Sequence, residues 1–172
     1  MVVTRKFITD QEEKVASQVW ITNMSERAEI EKWVIDQFSE LENYGLSKPV
    51  IKRDHWTTSF DWLSMNIAIE LELDWREFDP FMLIVRLEDH QLPQNYYVSN
   101  GKPCRFHLQK AIQERGWSVV SDEMKVLSAN EKRGLKPKPS ADNFKKRLLA
   151  YKVVLISCID QVLADGESIF SA

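Results

Sequence analysis

Alternation is the strongest pattern in the chain. Between Trp62 and Trp75 the odd positions carry Leu63, Met65, Ile67, Ile69, Leu71, Leu73 and Trp75, while Ser64, Asn66, Glu70, Glu72 and Asp74 take most of the even ones. Successive side chains of a strand point to opposite faces, so this period of two predicts a strand over 62–75 with one buried and one solvated face. After a five-residue connection, 76–80, the run FMLIVRLE at 81–88 reads as a second strand, and the two form an antiparallel core hairpin. Pro80 fits just before that strand but not inside a central one. Placing Trp75 opposite Phe81 sets Leu73 against Leu83, Leu71 against Val85, Ile69 against Leu87 and Glu70 against Arg86, the last an opposite-charge cross-strand pair.

Elsewhere the apolar period is helical. Thr9 with Glu12 has the form of a capping box, and a helix is predicted over 10–22. Ser25 is a candidate cap for a second helix, 26–43, in which Ile30, Trp33, Val34, Phe38 and Leu41 share a face and Gly45 closes the end. Short strands are expected at 50–51 and 96–98, the latter closed by the turn pair Asn100-Gly101. Pro103 opens a middle helix holding Phe106, Leu108, Ala111 and Ile112 and stopped by Gly116; a fourth strand is expected at 117–120. The stretch 122–130 fits either state, and 131–140, EKRGLKPKPS, reads as a loop. A long last helix, 141–164, carries the stripe Phe144, Leu148, Tyr151, Leu155, Ile159 and Val162, with 153–159 apolar on nearly every side and so expected to be buried. The fold class is therefore α+β: one domain, 1–172, with an antiparallel sheet of about four strands covered by N-terminal helices, a middle helix and a long C-terminal helix. This order of elements resembles that of type III secretion chaperones in topology alone; no shared motif accompanies it, and no residue role is carried over.

Composition narrows the class of protein. At 172 residues, 44% hydrophobic and 28% charged, the chain is long enough and apolar enough for a real core. No apolar run approaches membrane-spanning length, and the N-terminus turns acidic without a long apolar stretch, so neither a membrane span nor a signal peptide is expected. Cys104 and Cys158 are the only cysteines, which suits free thiols in a cytoplasm better than a disulfide framework. The net charge of −3 conceals an asymmetry: residues 1–90 hold 10 Lys+Arg against 18 Asp+Glu, and residues 91–172 hold 13 against 8. Such a bipolar chain pairs its halves internally or steers a charged macromolecule.

Candidate chemistry is sparse. Cys104-x-x-His107 has the spacing of half a zinc site, but His55, His90, Glu88 and Asp89 lie on other elements, so no metal and no cofactor is expected. The same Cys104 near a helix start, with His107, His90 or His55 as base, is a weak nucleophile reading. Glu70, Glu72 and Asp74 on one hairpin have the residue types of a metal-dependent nuclease, without the accompanying lysine. Lys132, Arg133, Lys136, Lys138, Lys145, Lys146 and Arg147 make a basic 132–147 segment that suits nucleic acid, although only Phe144 supplies an interleaved aromatic. The acidic strand face is the more suggestive feature. Glu70, Glu72 and Asp74, with Met82 and Ile84 beside them and Arg86 nearby, have the make-up of an apolar interface centre with a charged rim. The sequence thus points to a small acidic protein-binding domain that neutralises or escorts a basic partner, of the toxin-immunity type. A nucleic-acid binder, a secretion-type chaperone and a metal-dependent nuclease are the alternatives.

Overall fold

The computed structural model describes residues 10–128 and 141–171, with side chains from Met24 onward in the first helix. Thr9 and the 131–140 loop lie outside the described residues. The fold is α+β, and a five-stranded antiparallel sheet forms its centre. The first helix, α1 (Asp10–Phe38), leads through a 3-10 segment, Ser39–Tyr44, to β1 (Val50–Arg53), β2 (Thr57–Leu63), β3 (Ile67–Asp74) and β4 (Asp79–Arg86). A two-residue hairpin follows, β5 (Val98–Ser99) and β6 (Lys102–Pro103), and then β7 (Arg105–His107), α2 (Leu108–Arg115), α3 (Ser121–Ser128) and α4 (Ala141–Asp165). The sheet order is β1-β2-β3-β4-β7. Among the described residues no helix is long and apolar enough to cross a membrane.

The stretch 62–75 is two strands, not one. Ser64 N–H donates to the Ile67 carbonyl at 2.8 Å, closing a tight turn that leaves Met65 75% exposed. Leu63 pairs with Ala68 across this turn, so odd positions before it share a face with even positions after it. The apolar alternation runs through the turn unbroken, which hides the turn from the sequence.

The register of the next hairpin also differs from expectation. Ile67 pairs with Arg86, Ile69 with Ile84, Leu71 with Met82 and Leu73 with Pro80. Glu70 therefore lies opposite Leu83, not Arg86. Asp74 is the cause: its carboxylate accepts the backbone N–H groups of Arg76 and Glu77 at 2.8 and 3.2 Å, while Phe78 takes a left-handed φ of 49°. That turn is one residue tighter than a 76–80 loop, and Pro80 enters the strand. An odd shift of register exchanges faces. Met82 and Ile84, expected beside the acidic residues, are instead 1% and 0% exposed in the main core.

The inner face of the sheet is thus Phe60, Trp62, Ile67, Ile69, Leu71, Leu73, Met82 and Ile84, sharing one core with Ile30, Val34 and Phe38 of α1 and Phe144, Leu148, Tyr151 and Leu155 of α4. Trp62 stacks between Phe38 and Phe60 at ring distances of 5.5 and 6.0 Å, and Trp75 meets Phe144 at 5.7 Å. The α4 stripe is buried at every expected position, but Val153 is 38% exposed, because only one side of that turn meets the sheet.

Four further differences concern local structure. A single α1 replaces the helices 10–22 and 26–43, since neither Gly nor Pro interrupts it and an internal Ser25 costs only about 0.5 kcal/mol. Its continuation still ends at Gly45, whose φ of 83° needs no Cβ penalty. Asn100-Gly101 makes the expected turn, both residues having positive φ, but it joins β5 to β6 outside the main sheet. Residues 105–107, expected in the middle helix, pair instead with the open edge of β4, and 117–120 forms no strand although Trp117 is buried. Both cysteines are buried free thiols.

Leu71 is wholly buried at the centre of this core. Leu71→Ala is expected to lower the unfolding free energy by about 2–5 kcal/mol, from lost contacts and the cavity left behind. Urea denaturation measures it; a loss below about 1 kcal/mol would contradict the inner-face assignment.

Candidate functional site

The outer face of the sheet carries the charge. Lys52, Ser59 and Glu72 lie in one row across β1, β2 and β3, and Asp61 and Glu70 stand directly opposite each other in the next. The segment between β4 and β7 folds back over part of this face, with Pro93 buried and Tyr96 at its lip. Between segment and sheet is an open cleft of about 260 Å³ whose walls include Lys52, Ser59, Glu70, Glu72, Tyr96 and Arg105.

Arg105 organises the cleft. Its Nε and Nη2 donate to the two Glu70 oxygens at 2.7 and 2.8 Å. Nη1 donates to the carbonyls of Asn95 and Tyr96 at 3.2 and 2.7 Å, and the guanidinium lies 4.4 Å from the Tyr96 ring centre. The ion pair is nearly inaccessible, with side-chain exposures of 6% for Arg105 and 2% for Glu70. Such a bidentate pair fixes geometry as well as charge, and here it ties β3, β7 and the 93–97 segment together. Tyr96 in turn donates its hydroxyl to Glu72 Oε2 at 2.7 Å. Burial raises the Tyr96 phenol, and the adjoining Glu72 carboxylate adds to the effect. Burial also raises the Glu72 carboxyl, with the Tyr96 bond opposing it.

Asp61 is 0% exposed, receives no N–H on either oxygen, has Lys52 Nζ 3.5 Å from Oδ2, and shares a hydrogen bond with the Glu70 carboxylate when it holds its proton. Burial, reinforced by the Glu70 carboxylate across the strand pair, pushes the Asp61 carboxyl up to about 7. Folding therefore places a proton-holding acid beside a permanently paired one.

The residues singled out in the sequence are thus dispersed among separate tasks. Glu70 is committed to Arg105. Asp74 is buried, builds its turn and pairs with Arg76 at 3.1 Å; burial raises its carboxyl, but the hydrogen bonds from Arg76 and Glu77 outweigh this and leave it below the ordinary value. Met82 and Ile84 belong to the core. Arg86 is held by Glu88 and by the carbonyls of Ser99 and Pro103. Glu72 alone of the six faces the cleft with an oxygen to spare. Since Glu70, Glu72 and Asp74 each bend to a different partner, they do not converge as nuclease ligands would, and among the described residues no group of three His, Cys, Asp or Glu has metal-holding geometry. Cys104 is buried against the Asn95 and Tyr96 carbonyls, ahead of β7 and not at a helix start, and burial raises its thiol; His107 is exposed. In the basic segment, Arg147 pairs with Asp79 at 2.9 Å and Lys145 sits over the Trp33 ring, leaving Lys146 exposed; Lys132, Arg133, Lys136 and Lys138 lie outside the described residues.

Sequence reading missed Asp61, Arg105, Tyr96 and Lys52. One signal was present for Asp61: an acid between Phe60 and Trp62 at a position of strand alternation. Nothing local marked Arg105, whose partner is 35 residues away. No protein-family model, curated protein or solved structure matches the chain.

Asp61 makes stability depend on pH. Unfolded, its carboxyl loses the proton near the ordinary value of 3.8; folded, it keeps it to about 7. Between these values the unfolded state binds fewer protons, so stability falls as pH rises from about 4 to 7. Asp61→Asn removes this loss. At pH 8 the variant is expected to exceed the wild type by on the order of 1–4 kcal/mol, at roughly 1.4 kcal/mol per pKa unit, with a flatter profile across the interval. Urea denaturation at several pH values checks this, and a variant less stable at pH 8 with an unchanged profile would refute it.

Proposed function

We propose that the protein is a binding domain that docks a basic partner protein on the outer sheet face and so neutralises or escorts it, in the manner of a toxin-immunity protein. The observation that supports this reading is the acidic wall of the cleft, where Glu72 has an acceptor to spare. Its Arg105 is consumed by Glu70 and two carbonyls, and the neighbouring Arg53 by Glu31 at 2.8 Å. Glu72 spends only Oε2, on Tyr96, and Lys52 is loosely held beside it, 3.5 Å from Asp61 with its side chain 53% exposed. A partner offering ammonium or guanidinium groups meets a preorganised acceptor site, and the acidic character of residues 1–90 favours its approach. Two buried free thiols suit a reducing compartment, so we place the encounter in the cytoplasm. The nucleic-acid reading has less support, because Arg147 and Lys145 are turned to partners within the fold.

Affinity capture from the native cell followed by mass spectrometry identifies the partner, and association kinetics then test the face. Glu72→Lys is the informative reversal, because Glu72 is partly exposed and leaves the Asp74 turn and the Glu70–Arg105 pair in place. It is expected to slow association about tenfold at low salt, with the deficit shrinking as salt rises. Association at the wild-type rate in low salt would reject this face as the docking surface, and capture of no protein would reject the reading itself.

A further inference from the structure

We propose that residues 92–97 form a strap latched over the outer sheet face by a proton shared between Asp61 and Glu70, and that loss of this proton lets the strap lift and uncovers Cys104. This movement within the chain does not depend on the binding-domain reading above. The way the strap is fastened carries it. At one end Glu88 and Gln91 exchange two backbone hydrogen bonds of 2.8 and 2.9 Å, and at the other the Cys104 N–H donates to the Tyr97 carbonyl at 3.0 Å. Between these ends Pro93 is buried and Leu92 is half-buried against the cluster of Ala68, Val85 and Leu87, while Gln94, Asn95, Tyr96 and Tyr97 are exposed. A segment with so little apolar burial is held by its polar contacts, and it opens when they weaken.

Those contacts converge on Glu70. Arg105 Nη1 donates to the Asn95 and Tyr96 carbonyls at 3.2 and 2.7 Å, and Nε and Nη2 of the same guanidinium donate to Glu70. Cys104 Sγ reaches the same two carbonyls at 3.4 and 3.2 Å. Tyr96 adds its hydroxyl bond to Glu72. The strap is therefore tied through Arg105 to Glu70, and Glu70 stands directly opposite Asp61 in the β2–β3 pairing, both carboxyls out of water. Two buried acids at this approach resist ionising together, so the pair keeps a proton, held on Asp61 and shared with Glu70.

The groups around the pair leave it dependent on that proton. Lys52 faces Asp61 from β1 at 3.5 Å, Glu72 lies one row away on β3, Arg105 reaches in from β7, and β4 places Leu83 opposite Glu70. The strap brings the Tyr96 phenol, which burial and Glu72 keep neutral. Once the proton is lost, two facing carboxylates share one guanidinium and a lysine whose side chain is 53% exposed. Their repulsion is relieved when water reaches Glu70, which lines the cleft beneath the strap. The lifted state binds fewer protons than the latched one, so lifting becomes easier as pH rises through about 7.

The test is pulsed alkylation with iodoacetamide, followed by mass spectrometry of the peptides that hold Cys104 and Cys158. Both thiols are buried, Cys104 against the strap and Cys158 in the main core. Cys158 therefore reports global unfolding, and Cys104 reports strap opening as well. Their ratio cancels the gain in thiolate with pH that the two uncovered thiols share. Between pH 6 and pH 8.5 the ratio of Cys104 to Cys158 labelling is expected to rise about threefold or more. Asp61→Asn, whose amide can donate to Glu70 at every pH, is expected to keep the ratio flat. A constant ratio in the wild type, with both thiols accelerating together, would overturn the strap by showing that pH acts through global unfolding alone. A ratio that rises as steeply in a folded Asp61→Asn would overturn the shared proton as the latch.

Discussion

Burial of the inner face of β3 is the constraint on which the other elements depend. Ile67, Ile69, Leu71 and Leu73 project from one side of a central strand, and none exceeds 2% exposure. That requires helices on that side, supplied by α1 and α4, whose stripes end in the same core. With both long helices committed there, the outer face is left to the charged side chains of β1–β3, to a small apolar cluster of Ala68, Val85 and Leu87, and to the connection between β4 and β7. An antiparallel sheet tolerates this division, one face dry and the other partly polar.

The outer face nevertheless does not behave as a simple solvated surface. The connection folds back over it, removes Asp61 and Glu70 from water and so turns two ordinary strand carboxylates into a buried pair. Desolvating a charge is costly unless it is matched. Arg105 matches Glu70 with two short hydrogen bonds, and Asp61 keeps a proton that it shares with Glu70, with Lys52 3.5 Å away.

Local periodicity by itself determined much of this protein. It identified the α4 stripe, the inner residues of β3, the end of the first helical region at Gly45, the Asn100-Gly101 turn and the α+β class. These features are set by residues close in sequence, through the periods of strand and helix and the backbone freedom of glycine. Tertiary structure decided the register of β3 on β4, the division of 62–75 into two strands and the recruitment of 105–107 to the sheet edge. Period two is blind to a turn that preserves alternation and to a shift that exchanges faces, and so Met82 and Ile84 moved from the acidic face to the core. The site was out of reach for a related reason. Asp61 and Glu70 meet only once β2 pairs with β3, and Arg105 reaches Glu70 only after β7 docks on β4. A charge acquires its role from what surrounds it in space, which no pattern along the chain records.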